Sequence, residues 1–253
     1  MSEVLTEVQG NVLVITLNRP EARNAINEAV AAQLAAAVDR LDGDLDLRVG
    51  VITGAGGTFC SGMDLKGFLR GENPHVPGRG FAGFTQAPPK TPIIAAVEGW
   101  ALAGGCEIVA ACDLVVASRE AKFGIPEVKR GLAAGAGGLL RLPQRIPYNI
   151  AMELALTGDP LTADQAHAHG LVNRLTEPGQ ALDVALALAS TISANGPLAV
   201  AASKEIVRGS LDWTEAEGWA NQPGLLGPVF ASADAREGAT AFAEKRPPKW
   251  SGT

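Results

Sequence analysis

The sequence has few of the residues from which metal sites and nucleic-acid surfaces are built. It contains three histidines and three cysteines, and no two cysteines have the C-x-x-C spacing. Cys60, Cys106 and Cys112 lie in apolar stretches, so we predict buried reduced thiols and no metal site. Aromatic residues make up 5% of the chain, and 21 Lys and Arg stand against 27 Asp and Glu with no run of five like charges. This charge pattern argues against a nucleic-acid binder.

The sequence also lacks a long apolar run. Its N-terminal segment carries acidic residues where a signal peptide has Lys or Arg, and its apolar residues 12–17 are too few for a signal sequence. The longest uncharged stretch, residues 184–203, is interrupted by Asn195-Gly196-Pro197. We therefore expect a cytoplasmic protein with neither a signal peptide nor a membrane span.

What the sequence does contain is an alternation of apolar strands and helices. A chain of 253 residues with 47% hydrophobic residues corresponds to one large domain, or to one domain with a small appendage. Gly10-Asn11 separates two β-type runs and predicts a hairpin. Asn27 is a predicted cap for a helix whose apolar residues recur at helical spacing, namely Val30, Leu34, Val38 and Leu41.

The following segments predict the fold class. The sequence favours strands at residues 49–53, 92–97 and 113–117 and a helix at residues 104–111. Nearly continuous apolar strands indicate a sheet that is covered on both faces, so the fold class is α/β. Later helices are predicted at residues 137–144, 148–156, 162–169, 179–193, 197–210 and 232–244, with one further strand at 170–175.

Two segments interrupt this pattern. Pro197 occupies an allowed first-turn position and predicts a boundary between an N-terminal core, residues 1–196, and a helical region, residues 197–253. Residues 67–89 contain five Gly and four Pro and predict an irregular, mobile loop. Such a loop either lines a site or is a disordered surface insertion, and the sequence leaves both readings open.

Three segments carry residues suited to catalysis. Gly104 and Gly105 begin a predicted helix with Glu107 in its first turn, and exposed N–H groups at a helix start bind anions. A second glycine loop, residues 54–66, follows a strand directly, where ligands bind in α/β sheets. Glu127 follows Pro126, which fixes the local backbone.

Each of these segments by itself is more often structural, but their combination is informative. Two carboxylates on different elements can converge on one pocket and divide into an acid and a base. The sequence has no serine nucleophile elbow and no strict nucleotide-binding glycine motif. His75, His167 and His169 stand in loop or exposed helix contexts, so we predict solvated histidines.

The sequence resembles the crotonase, or enoyl-CoA hydratase/isomerase, family. The matching segments span nearly the whole chain in the family's order: residues 17–25, 59–66, 94–107, 123–127, 135–138 and 241–246. The resemblance implies a crotonase-like spiral of ββα repeats, followed by a C-terminal helical trimerisation region. It also implies a homotrimer or a hexamer that is a dimer of trimers.

The resemblance further implies the activity and the catalytic groups. The backbone N–H groups of Met63 and Gly104 would form an oxyanion hole for a thioester carbonyl. Glu107 and Glu127 would hold one water, Glu107 helping to ionise it for attack on C3 and Glu127 protonating C2. The implied enzyme is a hydro-lyase that acts on an acyl-CoA, without a separate cofactor because coenzyme A is part of the substrate.

The remaining implied contacts are those of the substrate. The resemblance assigns substrate binding to Glu21, Ala22, Arg23, Ser61, Asp64, Leu65, Lys66, Gly105, Pro126 and, from a neighbouring subunit, Lys245. An equally good interpretation is that Arg23, Lys66 and Lys245 are solvated surface residues.

The sequence departs from the family at Leu132-Ala133-Ala134, which lacks a common proline, and at Glu98, where Asn is usual. Residues 62–66 and 244–250 look similar to carnitinyl-CoA dehydratases. Dehydration of such a thioester, double-bond isomerisation and a non-catalytic acyl-CoA binder therefore stay open as alternatives.

Overall fold

A computed structural model describes residues 2–253. Within this range the strands are β1 (Val4–Gln9), β2 (Val12–Leu17), β3 (Val49–Gly54), β4 (His75–Val76), β5 (Gly80–Phe81), β6 (Ile93–Val97), β7 (Trp100–Leu102), β8 (Leu114–Ser118), β9 (Lys122–Gly124), β10 (Leu161–Thr162) and β11 (Arg174–Thr176). Six of them form one sheet in the order β1-β2-β3-β6-β8-β11, parallel except for the antiparallel edge strand β1. A small sheet, β10-β9-β7, and the β4-β5 hairpin complete the set.

The α-helices lie between and after these strands. In residues 2–253 they are α1 (Glu28–Gly43), α2 (Leu65–Leu69), α3 (Gly104–Ala111), α4 (Gly138–Arg145), α5 (Tyr148–Thr157), α6 (Ala163–Ala168), α7 (Ala181–Ser193), α8 (Pro197–Gly209), α9 (Glu215–Ala231) and α10 (Ala233–Glu244). Short 3-10 helices occupy Pro20–Ala22, Ala55–Gly57 and Pro126–Arg130. Strands alternating with helices confirm the α/β class.

The main sheet is covered on both faces, as the sequence predicts. Successive strand residues point to opposite faces, so Val51 packs in the cluster under α7 while Ile52 packs in the larger core with α1 and α3. Helix α7 meets the sheet through three alanines spaced four residues apart, Ala181, Ala185 and Ala189. Small side chains at this spacing allow the helix to lie close to the strands.

Two consecutive ββα-type units position the site. In each unit a strand of the main sheet is followed by a strand of the small sheet and then by a helix: β6, β7 and α3 in the first, and β8, β9 and the 3-10 helix Pro126–Arg130 in the second. Strands β7 and β9 are parallel neighbours, with Leu102 opposite Gly124. The segments that leave these two strands therefore begin at the same end of the small sheet.

Most predicted elements are confirmed, including the hairpin at Gly10-Asn11 and the Asn27 cap, whose side chain accepts a hydrogen bond from Val30 N at 2.8 Å. The three cysteines are buried free thiols, as predicted. The division at Pro197 stays a prediction, although α8 does begin at this residue.

The structure differs from the sequence-based prediction in four respects. The sequence reading missed α9, because Pro223 and Pro228 normally count against a helix. It missed β7, β9 and β10, which are too short to show an alternating pattern, and it predicted residues 170–175 as a strand that covers only Arg174–Thr176. Residues 67–89 are not wholly irregular, because they contain the β4-β5 hairpin and fully buried side chains such as Phe84.

No single helix within residues 2–253 is long and apolar enough to cross a membrane. Helices α7 and α8 meet the criteria of length and composition only when they are taken together, and they bend by 108° at their junction. The location of the protein in the cell stays a prediction.

Candidate active site

Glu107 and Glu127 approach each other because their elements follow neighbouring strands. Glu107 lies in the first turn of α3, directly after β7, and Glu127 lies in the 3-10 helix that follows β9. The negative charge of Glu107 raises the pKa of Glu127, a direct consequence of their proximity. Two acids from different elements thus lie close enough for their charges to interact.

The segments that carry Met63 and Gly104 also lie side by side. A bridge between Cys60 and Ala101 attaches the second glycine loop to the free side of β7. Gly62 lies so close to the start of α3 that a Cβ built on it would be 3.2 Å from the Gly104 nitrogen. Glycine at position 62 is required by this approach and by its φ of +98°.

The backbone N–H groups of Met63 and Gly104 are unpaired within residues 2–253. Among residues 2–253, no backbone oxygen accepts a hydrogen bond from either of them. Ala103, which precedes Gly104, has a φ of +51°, a strained conformation that costs a residue with a side chain about 1–3 kcal/mol. Two neighbouring backbone donors of this kind can stabilise an oxygen on which negative charge develops.

The carboxylate of Glu107 is held rigidly. Glu107 is only 2% exposed, and its Oε1 accepts hydrogen bonds from Ala136 N at 2.8 Å and from Gly138 N at 2.9 Å. Burial raises its pKa above the ordinary value, while the Gly138 and Ala136 N–H groups and the positive charge of Arg141 oppose that rise. The net rise moves the titration of Glu107 closer to neutral pH.

Glu127 lies in a partly buried position with one carboxylate oxygen unpartnered among the described residues. Its Oε2 is buried and has no hydrogen-bond partner within residues 2–253. Burial raises the pKa of Glu127, its own backbone N–H lowers it, and the charge of Glu107 raises it further. An unpartnered buried carboxylate oxygen is costly unless a ligand or water binds it.

The segment of residues 67–89 borders the site. A Cβ on Gly104 would lie 2.3 Å from the ring of Phe81, so this aromatic ring covers the start of α3. His75 stands edge-on to Phe81, with ring centroids 5.6 Å apart, and is exposed as predicted. A cavity of about 240 Å³ lies beside Met63, with mainly apolar walls that include Phe68 and Pro74.

The other predicted site residues occupy several positions. Arg23 O accepts a hydrogen bond from Ser61 N at 3.1 Å, which joins the two segments predicted to bind coenzyme A. Gly105 packs so tightly that an added Cβ would lie 2.3 Å from Cys60 O, so its role includes packing. Exposed or partly exposed positions are occupied by Glu21, Ala22, Leu65, Lys66, Pro126 and Lys245. Lys245 follows α10, apart in sequence from the segments that form the site.

Asp64 is engaged in local structure. Its Oδ1 accepts hydrogen bonds from Lys66 N and Gly67 N at the start of α2, and its Oδ2 pairs with Arg19 at 2.9 Å. Burial disfavours the charged form, but the Gly67 N–H and Arg19 outweigh it and keep the pKa of Asp64 below its usual value. The carboxylate therefore fixes the loop on which Met63 lies.

Sequence reasoning missed two supporting side chains. Glu98 Oε1 accepts a hydrogen bond from Ala181 N at 3.0 Å and so caps α7. Arg141 lies near Glu107 and donates to Thr85 O at 2.6 Å. A signal for Glu98 was its departure from the usual Asn, whereas Arg141 carried no signal beyond its position after the 135–138 glycine segment.

Comparisons with known proteins agree with this geometry. Residues 7–253 match the enoyl-CoA hydratase/isomerase family. The chain belongs to this family. It is 43% identical to the enoyl-CoA hydratase EchA19 of Mycobacterium tuberculosis, over 98% of this chain and 96% of that protein. It is 41% identical to the carnitinyl-CoA dehydratase of Proteus mirabilis, over 96% of each chain.

Solved structures of the enoyl-CoA hydratase/isomerase family share the fold. A crystal structure of an enoyl-CoA hydratase from Mycobacterium tuberculosis H37Rv has 62% sequence identity and a TM-score of 0.99, with 100% of both chains covered. A carnitinyl-CoA hydratase from Mycobacterium avium has 43% identity and a TM-score of 0.81, again over 100% of both chains. The crotonase-like fold expected from the sequence is confirmed.

Proposed function

We propose that the protein catalyses the reversible addition of water to a trans-2-enoyl-CoA, giving a 3-hydroxyacyl-CoA. The observation that carries the proposal is the buried, unpartnered Oε2 of Glu127 beside the fixed carboxylate of Glu107. A water bound between two carboxylates can lose one proton to a base while the other group supplies a proton to the substrate. The family and its hydratase and dehydratase relatives support this type of reaction.

Glu107 is the proposed base and Glu127 the proposed acid. Glu107 helps to ionise the water that attacks C3, and Glu127 protonates C2. Burial raises the pKa of both groups, and the negative charge of Glu107 adds to the rise for Glu127. A carboxyl group with a raised pKa retains its proton at a higher pH and is a better proton donor there.

The backbone N–H groups of Met63 and Gly104 are the proposed oxyanion hole. They would donate to the thioester oxygen as the enolate forms, and two such preorganised donors contribute several kcal/mol to lowering a barrier. Because backbone atoms supply both donors, the Met63 side chain is available to line the adjacent cavity.

Coenzyme A is the proposed partner, bound as part of the substrate without a separate cofactor. The joined segments around Arg23 and Ser61 support its placement there. Arg23 and Lys66, together with Lys245 from a neighbouring subunit, are the proposed phosphate contacts. Arg23 and Lys66 are exposed cations near that surface.

Dehydration of a carnitinyl-type thioester is the second candidate. The 41% identical relative from Proteus mirabilis bears that name, which favours this reaction. The mainly apolar walls of the cavity beside Met63 favour an apolar acyl group instead. Isomerisation is a weaker fit, because both carboxylates are present.

The experiment is to measure loss of the conjugated enoyl-thioester absorbance with crotonyl-CoA. Wild type is compared with Glu107→Gln and Glu127→Gln, each of which removes a proton-transfer group while keeping its size. We expect each variant to lose about 100- to 10,000-fold in rate. Turnover of carnitinyl-CoA alone would support the second candidate, and thioester binding without any turnover would support an acyl-CoA binder.

A trimer, or a hexamer of two trimers, is the proposed assembly. None of the residues of α9 is buried within the chain, and Trp219 and Phe230 of this helix are 68% and 75% exposed. Large aromatic side chains at this exposure indicate a surface that another chain covers. The C-terminal helices therefore support the proposed contact region.

A further inference from the structure

The side chain of Arg141 lies over the turn that holds Glu107. Arg141 is in the first half of α4, whose first residue, Gly138, donates its N–H to Glu107. A Cβ built on Gly137 would be 2.5 Å from Arg141 Nη1, so the guanidinium packs directly on this residue. Gly137 has a φ of +103°, and no side chain of its own caps the helix.

Arg141 also connects this turn to the segment that borders the site. Its Nη2 donates to Thr85 O at 2.6 Å, and Thr85 is fully buried. The carbonyl that accepts this bond lies four residues after Phe81, whose ring covers Gly104. One guanidinium therefore contacts the Glu107-binding turn and the wall of the site together.

The charges around Glu107 come from three elements. Arg141 on α4 and His75 before β5 favour its ionised form, and Glu127 on the 3-10 helix lies close enough to interact unfavourably. Arg141 itself is partly buried, and two like charges, Arg208 and Arg145, lie near it. A partly buried guanidinium next to two other cations raises the electrostatic energy of the folded state.

We propose that Arg141 is a positioning residue for the reaction: through its contacts with Gly137 and Thr85 O, its guanidinium fixes the turn that holds the Glu107 carboxylate. The inference rests on the proposed role of Glu107 as the base. Arg141 acts through Glu107 and needs no contact with the substrate. A planar guanidinium suits this role because it presents donors in two directions from one rigid group.

Arg145 provides a matched control on the same helix. It is also a largely buried arginine that donates to a backbone carbonyl, Cys112 O. The neighbouring negative charge that acts on it is Asp113, and Glu107 is not among the groups that do so. Arg145→Gln therefore removes a comparable side chain from α4 without the contact to the Glu107 turn.

The kinetic test compares Arg141→Gln, Arg141→Lys and Arg145→Gln. For Arg141→Gln we expect kcat to fall about 10- to 100-fold with a small change in KM, since a misplaced base lowers the chemical step. The acid limb of the kcat/KM profile should move up by about 1 pH unit, because Glu107 loses a neighbouring positive charge. Arg141→Lys should return the acid limb to its wild-type position but recover only part of kcat. Lysine keeps the positive charge but lacks the planar guanidinium that donates in two directions.

A stability measurement separates this inference from the proposed function. Unfolding midpoints are measured near neutral pH for wild type, Arg141→Gln, Glu107→Gln and the double variant. We expect Arg141→Gln to lower the midpoint more in wild type than in the Glu107→Gln background. If wild type hydrates no enoyl-CoA, the proposed function fails. The double-variant comparison of unfolding midpoints still tests whether Arg141 supports the turn that holds Glu107.

Three results would overturn the role of Arg141. The first is an active wild type whose pH profile and kcat are the same after Arg141→Gln. The second is an additive double variant, and the third is an Arg145→Gln variant that reproduces the same acid-limb shift. Any of these results would make Arg141 an ordinary packing residue of α4.

Discussion

Glu107 Oε1 accepts a hydrogen bond from the backbone N–H of Gly138 at 2.9 Å, at the first residue of helix α4. The carboxylate thereby caps a helix that has no side-chain cap of its own. Helix N-termini favour negative charge, whereas burial of Glu107 disfavours it. The same contact therefore orients the carboxylate and limits the rise in its pKa.

Gly138→Ala should lower activity without unfolding the protein. The new Cβ would lie 2.9 Å from Glu107 Cγ and 3.2 Å from its Oε1, so the carboxylate must move. We expect kcat to fall about 10- to 100-fold. Gly135→Ala is the control, because its Cβ would meet no atom closer than 4.0 Å. Equal activity of the two variants in the enoyl-CoA assay would contradict the positional requirement.

The pH dependence of stability should identify Glu127 as a group with a raised pKa. Burial raises its pKa above the ordinary 4.5, and the charge of Glu107 adds to the rise. The folded state then binds the proton more tightly than the unfolded state. This contribution to stability is complete below about pH 4.5 and is lost as pH rises through the raised pKa. Stability relative to Glu127→Gln should therefore decline with increasing pH in denaturant titrations.

Glu217 provides a control of opposite sign for this measurement. Its pKa is lowered by hydrogen bonds from the backbone N–H and the hydroxyl of Thr214. A lowered pKa contributes stability that is present above the ordinary value and is lost as pH falls. Stability relative to Glu217→Gln should decline toward acid, and the same trend for both glutamates would refute the assignment.

Asp64→Ala and Lys66→Ala should affect different quantities although the two residues are neighbours. Asp64 and Arg19 have side chains that are 12% and 13% exposed, and Asp64 also caps α2. Loss of this carboxylate should lower the free energy of unfolding by about 1–3 kcal/mol. Lys66 is exposed, so Lys66→Ala should leave stability unchanged and raise KM for the thioester about two- to fivefold. An unchanged KM would remove Lys66 from the coenzyme A site.

Charges placed on α9 should dissociate the assembly. Trp219→Glu and Phe230→Glu would each put a carboxylate into an apolar contact, which is unfavourable without a partner. In sedimentation experiments wild type should have the mass of three or six chains, and the variants a smaller mass. Leu45→Glu changes a residue that is 93% exposed and should leave the mass unchanged. A monomeric wild type would refute the proposed assembly.

The sequence was sufficient to predict the α/β alternation, the hairpin and the Asn27 cap, because these depend on local periodicity and on residues close in the chain. It also singled out the two glutamates and the glycine segments beside them. It did not predict α9, whose prolines obscure its pattern, or the short strands β7 and β9, whose pairing is not local. Their pairing is what brings Glu107 and Glu127 together.

The environment of each site residue depends on contacts that form when the chain folds. The burial of Glu127 Oε2, the two N–H groups on Glu107, the ion pair of Asp64 with Arg19 and the bond from Arg141 to Thr85 O all depend on segments far away in sequence. Residue types and spacing identify which groups can carry charge or donate a proton. Burial and the distances between charged groups set the pKa values and the orientations of these side chains. Both arise only when segments distant in sequence pack together.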